Sequence, residues 1–472
     1  MSHSDASGPK DQAVTHHLSR QLSLRDLVLS QVLVVVGSSW VGIAAGLAHA
    51  QAFVWLLAFA AFYFPMGSAV YYLNRELPLE GGLYEWTRQA FGDTAGFLVA
   101  WNIWAYALSS IATILFQIPT EFAFMIGPRA AWLPEHHAVV FCFLIITLTA
   151  LALSAVRGLA LGKWIHNFSG ATMIAAFATL ILAPLWALMH HVSLHFSPYE
   201  FHLPDTSPVS LALIGQTLFA AAGLEYVAIL AGESKAPSRD IGRSILIASP
   251  IIFLMFTLGT ASVLAFHEFS GSAINYIAPI PQTLRLAFGE SGYADMLARL
   301  VILLLQLRIL GAASLLFTGV VRLPMVAGWD HLVPSWFSRL HPRYRTPTNS
   351  ILVTSLIIAA SFALAFAGAR AAVAFAVLNN ASNVFYGIAY LAMFAIPIFG
   401  AKQLRKHIPK WVKVLCGIGF CAVTFSMATS VYPFVDDPNP LGFATKIVVT
   451  IVLANLMAYA FYYARTVRHR HS

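Results

Sequence analysis

Two apolar stretches of this chain are interrupted at their centres by glycine-containing runs. The stretch at 27–49 is interrupted at 37–42, which we term the first break, and the stretch at 209–232 is interrupted at 219–225, the second break. A helix in a membrane gives up internal hydrogen bonds only where the freed groups line a cavity or face protein. Paired interruptions in matching positions of two halves are typical of solute-binding sites in transporters. The pair therefore predicts a binding site for a small solute at membrane depth.

The two breaks present opposite ends of half-helices. The half-helix after the first break begins near Ser39, Trp40 and Val41, where unpartnered amides at the positive end of a helix dipole suit a carboxylate. The half-helix before the second break ends near 219–221, where free carbonyls accept hydrogen bonds from an ammonium. Together they predict a pocket for a zwitterion, with Phe219 as its cap or as a stacking surface. The residues predicted to line it are Gly37, Ser38, Ser39, Trp40, Val41, Phe219, Ala220, Ala221 and Gly223.

A second interpretation of the same glycines is simple close packing, because small residues are common where membrane helices touch. Matching positions of the two breaks, with Glu225 beside the second, favour the functional interpretation. A carboxylate at membrane depth is costly unless it is paired or protonated. Glu225 therefore suits a proton-linked switch, and the alternative is a carboxylate that only stabilises the unwound backbone.

Other polar residues at membrane depth have more than one interpretation. Arg308 either meets an anionic group of the substrate, forms an ion pair with an acid such as Glu121, or lies in a wet outer vestibule. Asn379, Asn380 and Asn383 either line the permeation path or form interhelical hydrogen bonds.

The composition is that of a membrane protein. Of the 472 residues, 58% are hydrophobic and 10% are charged, and the mean hydropathy is +0.73. Soluble domains carry about 25% charged residues, so a water-soluble core does not account for this chain. Apolar runs long enough to cross a bilayer recur about twelve times, at 27–49, 52–73, 95–125, 138–156, 165–190, 209–232, 243–266, 295–321, 350–368, 371–399, 412–434 and 442–464.

The net charge of +8 indicates topology, and we expect no nucleic acid partner. Lys and Arg are concentrated in alternate loops, which is the positive-inside pattern and predicts that both termini are cytoplasmic. If each repeat holds five spans, the odd number makes the second repeat inverted. The predicted organisation is a disordered cytoplasmic tail, a first repeat, an inverted second repeat and two further helices with a second tail, at 1–24, 25–192, 205–400 and 401–472.

The sequence offers no signature of a catalytic or cofactor-binding protein. The histidines and cysteines lack metal-ligand spacing, and we expect no metal and no cofactor. Neither a nucleotide-binding loop nor a nucleophile motif is present. Scattered polar residues at different depths do not favour a membrane-embedded enzyme, and short tails do not favour a solute sensor with an output domain.

Several motifs together resemble those of the amino acid–polyamine–organocation superfamily of permeases. They are the Gly-Ser run of the first span, Glu-Leu-Pro-Leu-Glu-Gly-Gly-Leu-Tyr at 76–84, Gly-Leu-Glu at 223–225, Gly-Glu-Ser-Lys-Ala-Pro at 232–237, Arg322, Asp-His-Leu-Val-Pro at 330–334 and His-Pro-Arg at 341–343. The resemblance covers about residues 24–400. It implies an all-α membrane protein with a leucine-transporter-type fold of five plus five inverted spans, here followed by two C-terminal helices.

The resemblance also implies a function. Such permeases move amino acids or related amines across the cytoplasmic (plasma) membrane by alternating access, coupled to protons or by exchange. A polyamine or organocation permease is the alternative, and an enzyme or a non-transporting sensor of this fold is the weaker one. The resemblance places Asn102 and Tyr106 near the pocket and links the glutamate that matches Glu225 to a pH response.

The chain departs from the family pattern at two places. Ser39 replaces the last glycine of the usual first-span motif, and Trp40 directly after it is bulky, so we expect a smaller or more polar pocket. The middle of the fifth span, 171–182, lacks the lysine that some proton-coupled relatives carry there.

Overall fold

The computed structural model describes residues 23–77, 82–157, 162–190, 194, 201–225, 237–326, 336–367, 369–402 and 407–470. Within these ranges the regular structure is helical and no strand occurs. The helices are α1 Leu24–Val35, α2 Ser38–Ala45, α3 Gln51–Ala58, α4 Phe64–Glu76, α5 Leu83–Phe91, α6 Asp93–Ile126, α7 His137–Val156, α8 Gly162–Met189, α9 Pro208–Ala220, α10 Pro237–Ser270, α11 Pro279–Phe288, α12 Gly292–Val326, α13 Thr348–Phe366, α14 Ala371–Phe399, α15 Lys410–Thr429 and α16 Pro440–Arg470.

The described helices include ten that are long and apolar enough to cross a membrane, or eleven if the bent pair α1 and α2 forms one span. Helices α3 and α4 count as one of these spans, because a π-helical segment, Phe59–Tyr63, joins them. Helix α9 is apolar but has only 13 residues. It lies where the sequence predicts a sixth span, which is interrupted after its first half.

Helices α6 and α14 form the centre of the bundle, and α7 and α16 lie at its periphery. Of the most apolar stretch of 18 residues in each helix, 72% is buried in α6 and 67% in α14. The buried share is only 22% in α7 and 17% in α16. The exposed apolar faces of α7 and α16 suit contact with lipid. Helix α6 packs against both α12 and α14, and α1 packs against α8 and α10.

Local sequence signals fix where the two interrupted spans begin. Ser23 caps α1 in a capping box: its hydroxyl accepts from the amide of Asp26, whose carboxylate accepts from the amide of Ser23. Ser207 caps α9 through the amide of Ser210, and Pro208 occupies the first turn, where its missing N–H costs nothing. Both half-helices therefore start at defined residues.

Some predicted features lie outside the described residues. They are the tail up to residue 22, the centre of the loop motif at 78–81, the segment 226–236 after the second break and the segment 327–335.

Candidate functional site

The first break separates two half-helices that meet at an angle of 47°. Helix α1 ends at Val35, Val36 and Gly37 have extended backbone, and α2 begins at Ser38. The predicted interruption is therefore present, and it is narrower than the glycine-containing run suggested. No side chain caps α2, because Gly37 occupies the capping position. The amides of the first turn, which includes Ser39, Trp40 and Val41, thus lack the partner that a side-chain cap supplies.

The side chains of the first break are tied to α6. The hydroxyl of Ser38 donates to Oε1 of Gln117 over 3.3 Å, and Nε2 of Gln117 lies 3.5 Å from Oγ of Ser39. All three residues are buried. Gln117 therefore fixes both serine side chains.

The indole of Trp40 folds back over the break. A Cβ placed on Gly37 would lie 2.7 Å from Cδ1 of Trp40, which is closer than two carbon atoms approach. Gly37 is thus required by the position of the indole. The predicted crowding of the first break by Trp40 is consistent with this contact.

The second break follows the end of α9 and touches the first span. Helix α9 ends at Ala220, and Gly223 has φ +112°, a conformation that favours glycine. A Cβ on Gly223 would lie 3.0 Å from Cγ1 of Val34, one residue before the end of α1. The second break therefore packs against the last turn of α1, directly before the first break, and we refer to this as the contact between the two breaks.

The carbonyls at the end of α9 are not equivalent. The carbonyl of Phe219 accepts from the amides of Ala221 and Ala222. Those of Ala220 and Ala221 have no partner among the residues that the structure describes. Of the three carbonyls predicted to face an ammonium, two are thus without a partner among the described residues.

Glu225 is held by a tyrosine that also holds the second break. The hydroxyl of Tyr390 on α14 donates to Oε2 of Glu225 over 2.6 Å and accepts from the amide of Gly223 over 2.8 Å. Oε1 of Glu225 has no hydrogen-bond partner within the described part of the chain. One phenol thus joins the carboxyl group, the break and α14.

An aromatic cluster surrounds this carboxyl group, formed by Phe62, Tyr106, Phe219, Tyr386 and Tyr390. The ring of Tyr106 stacks on that of Tyr386 with centroids 3.8 Å apart, and Phe219 packs against Phe62 and Tyr390 at 5.7 Å. Phe219 is 3% exposed. The predicted cap of the pocket is therefore packed under neighbouring rings, and Tyr106 lies in the same cluster.

Asn102 lies elsewhere, although it is one helical turn from Tyr106. Its amide forms a reciprocal pair with that of Asn455 on α16, over 2.7 and 3.2 Å. It also donates to the carbonyl of Leu98. The structure thus directs Asn102 toward the peripheral helix, away from the two breaks.

Arg308 and Glu121 face each other across α12 and α6 without a direct ion pair. Both are buried, and they interact electrostatically. Oε2 of Glu121 lies 3.4 Å from Nε2 of Gln306, whereas Oε1 of Glu121 and Nε of Arg308 have no hydrogen-bond partner among the described residues. This pair lies one helical turn of α6 beyond Gln117.

The asparagines of α14 form interhelical hydrogen bonds. Asn379 donates to Oε1 of Gln216 on α9 over 2.9 Å, and Asn383 donates to the same oxygen. The amide of Gln216 in turn donates to Ser430, directly after α15. Of the two interpretations, the geometry favours the interhelical one.

Comparison with known proteins identifies the chain. A family model described as amino acid permease matches residues 21–455, which is most of the sequence. The chain belongs to the amino acid permease family. This family consists of transporters and not of enzymes.

Curated relatives of the permease are named as transporters. An uncharacterized transporter of Legionella pneumophila is 23% identical, over 81% of this chain and 82% of the relative. An uncharacterized transporter of Mycobacterium tuberculosis is 26% identical, over 88% of this chain and 87% of the relative. The low-affinity putrescine importer PlaP of Escherichia coli is 23% identical, over 73% and 74%.

Three residues of this permease's site were not singled out from the sequence, namely Gln117, Tyr386 and Tyr390. Each lies on an apolar span and resembles an ordinary buried polar or aromatic residue. A weak signal existed for Gln117, since a glutamine at membrane depth needs a hydrogen-bond partner. Among the described residues no group of three or more His, Cys, Asp or Glu side chains could hold a metal ion.

Proposed function

We propose that this permease is a secondary active transporter that moves amino acids or related amines by alternating access. The observation that carries the proposal is the contact between the two breaks, where Gly223 lies against Val34 and the phenol of Tyr390 joins Gly223 to Glu225. Two unwound backbones that meet at a buried carboxyl group supply donors and acceptors for a polar solute in an apolar bundle.

The substrate would bind as a zwitterion between the breaks. Its carboxylate would accept from the amides of the first turn of α2, near Ser39 and Trp40, where the helix dipole favours an anion. Its ammonium would donate to the carbonyls of Ala220 and Ala221, which the described residues leave free. The serine hydroxyls held by Gln117 narrow the pocket on the carboxylate side.

Glu225 would couple a proton to the conformational change. Ionised, its carboxylate accepts from the hydroxyl of Tyr390, and the oxygen of this hydroxyl holds the amide of Gly223. When Glu225 is protonated, its carboxyl group is neutral and no longer needs a hydrogen-bond donor. The hydrogen bond from Tyr390, which connects α14 with the second break, then weakens. Among the described residues besides Tyr390, Tyr106 on α6 is an ionisable group near Glu225. Either symport with protons or exchange of one substrate for another fits this switch.

For the topology we propose that twelve spans cross the plasma membrane and that both termini lie in the cytoplasm. The spans would form two inverted repeats, at 25–192 and 205–400, followed by two helices within 401–472. The support is the loop charge pattern and the matching positions of the two breaks. In this orientation a cavity of about 330 Å³ beside the end of α2 and the start of α9 opens to the outside, lined among others by His49, His202 and Asp205.

A polyamine permease is the second candidate, because PlaP is named as a putrescine importer. A diamine has no carboxylate and would leave the amides of α2 unused. The family description and the geometry of the first break both favour a substrate with a carboxylate.

Purified permease in liposomes tests the proposal. Labelled amino acids and diamines are offered with a pH gradient, without it, and with unlabelled substrate inside. Uptake driven by the gradient supports symport, and uptake only with internal substrate supports exchange. Absence of uptake across the panel under all three conditions refutes the proposal.

A further inference from the structure

Two hydrogen bonds show which residues of α6 and α12 lie at the same height in the bundle. Nη1 of Arg299 donates to the carbonyl of Met125, and Nε2 of Gln306 donates to that of Ile118, over 2.8 and 3.1 Å. Seven residues toward the C-terminal end of α12 therefore correspond to seven residues toward the N-terminal end of α6. The two helices thus run antiparallel, with equal spacing of the paired residues. Two residues further along α12, Arg308 lies at the height of Phe116, next to Gln117, which holds the serines of the first break.

One face of α6 connects the first break with Arg308. Gln117 and Glu121 are four residues apart on this helix and so share a face. Gln117 contacts Ser38 and Ser39, and Glu121 interacts electrostatically with Arg308. The electrostatic interaction with Glu121 thus places the guanidinium near the face of α6 that holds the serine hydroxyls of the first break.

The buried guanidinium of Arg308 has no direct partner among the residues that the structure describes. The residue is 5% exposed, and none of its nitrogens has a hydrogen bond or an ion pair with a described residue. The carboxylate of Glu121 is near enough for an electrostatic interaction but uses Oε2 toward Gln306. A buried cation without hydrogen bonds is costly, and an anionic ligand would lower that cost.

We propose that Arg308 is a specificity-determining residue that binds a second anionic group of the substrate, so that the permease favours amino acids with an acidic side chain over neutral ones and over diamines. The inference rests on the proposed function. The α-carboxylate would bind at the amides of α2, and the side-chain carboxylate would bind at Arg308, at the same height of the bundle. A diamine would bring an ammonium group to this guanidinium and be repelled.

Competition against transport measures this preference. The reconstituted permease takes up a labelled amino acid that it transports, in the presence of L-glutamate, L-leucine or putrescine. For the wild type we expect glutamate to inhibit at the lowest concentration and putrescine at the highest. In R308Q the ratio of glutamate affinity to leucine affinity falls by about tenfold or more, since a buried charge pair contributes at least that much. In E121Q, which removes the competing carboxylate, this ratio rises.

Two further variants separate specificity from structure. R299Q makes the same change on the same helix, at an arginine that pairs with Asp295, and leaves the ratio unchanged. Should R308Q fold poorly, the R308Q/E121Q double variant removes both charges and leaves the net charge unchanged. In this variant, too, the ratio of glutamate affinity to leucine affinity falls. An equal loss for all three competitors in R308Q, or a wild type that leucine inhibits and glutamate does not, would overturn the inference. A wild type without any uptake would instead refute the proposed function.

Discussion

The contact between the two breaks can be tested by adding a single methyl group at Gly223. An alanine there takes a φ of +112°, which strains an L-residue by about 1–3 kcal/mol. Its Cβ would also lie 3.0 Å from Cγ1 of Val34, and such overpacking costs a further amount of about 1–3 kcal/mol. We therefore expect G223A to lower the free energy of unfolding by about 2–6 kcal/mol and to reduce substrate uptake.

Gly92 supplies the matched control, because its φ is +94° and no atom lies within 4 Å of a Cβ built on it. G92A thus carries strain without overpacking. Unfolding of each variant in the same detergent gives the two losses of stability, and we expect G223A to exceed G92A by about 1–3 kcal/mol. The V34A/G223A double variant removes the methyl group that the alanine meets and recovers part of this difference.

Uptake by the same variants in liposomes connects the contact with function. Gly92 lies outside the breaks, so we expect G92A to keep the wild-type KM. G223A raises the KM, and the addition of V34A to G223A lowers it again in part. Equal destabilisation by G223A and G92A, together with additive effects of V34A and G223A, would show that the two breaks do not touch and would remove the basis of the proposed site.

Four further variants test individual side chains of the site and one remote pair. E225Q cannot ionise, and we expect it to flatten the pH dependence of uptake; an unchanged pH profile would exclude Glu225 from coupling. Y390F removes the hydroxyl that contacts both Glu225 and the amide of Gly223; the bond to the carboxylate alone is worth about 1.5–3 kcal/mol, so uptake should fall about tenfold or more while the protein still reaches the membrane. Q117L leaves two buried serine hydroxyls without a partner and should raise the KM for amino acids, which transport kinetics would measure. The N102L/N455L pair replaces both partners of a remote amide contact, so its KM should equal that of the wild type; a raised KM would return Asn102 to the site.

The positions of both breaks could be predicted from the sequence, because glycine in an apolar run is a local signal. Gly37, at the start of the predicted first interruption, is unwound together with Val36 directly before it, and α9 ends within the predicted second one. One span limit was equally close, since the prediction of 371–399 agrees with α14, whereas the predicted 412–434 extends five residues past the end of α15 at Thr429. Hydrophobic periodicity depends only on the chain itself, which is why these features are readable.

Partners across helices could not be predicted, because spacing shows which residues share a face and not what that face meets. Asn102 and Tyr106 are one turn apart, yet Tyr106 stacks on Tyr386 and Asn102 pairs with Asn455. The π-helical segment at Phe59–Tyr63 was also not predicted. It contains Phe62, whose ring lies against that of Phe219, and such segments are rare within α-helices and frequent at functional sites.

Both breaks are anchored to the same central unit, which determines where coupling and selection can act. Helices α6 and α14 pack against each other and are joined by the hydroxyls of Ser110 and Ser382, 2.7 Å apart. Gln117 of α6 holds the first break through neutral hydrogen bonds, whose strength does not depend on pH. Tyr390 of α14 holds the second break through a bond to Glu225, which weakens when this carboxylate takes up a proton. We infer that a proton acts at the second break, whereas the first break, with Arg308 at its height, selects the substrate.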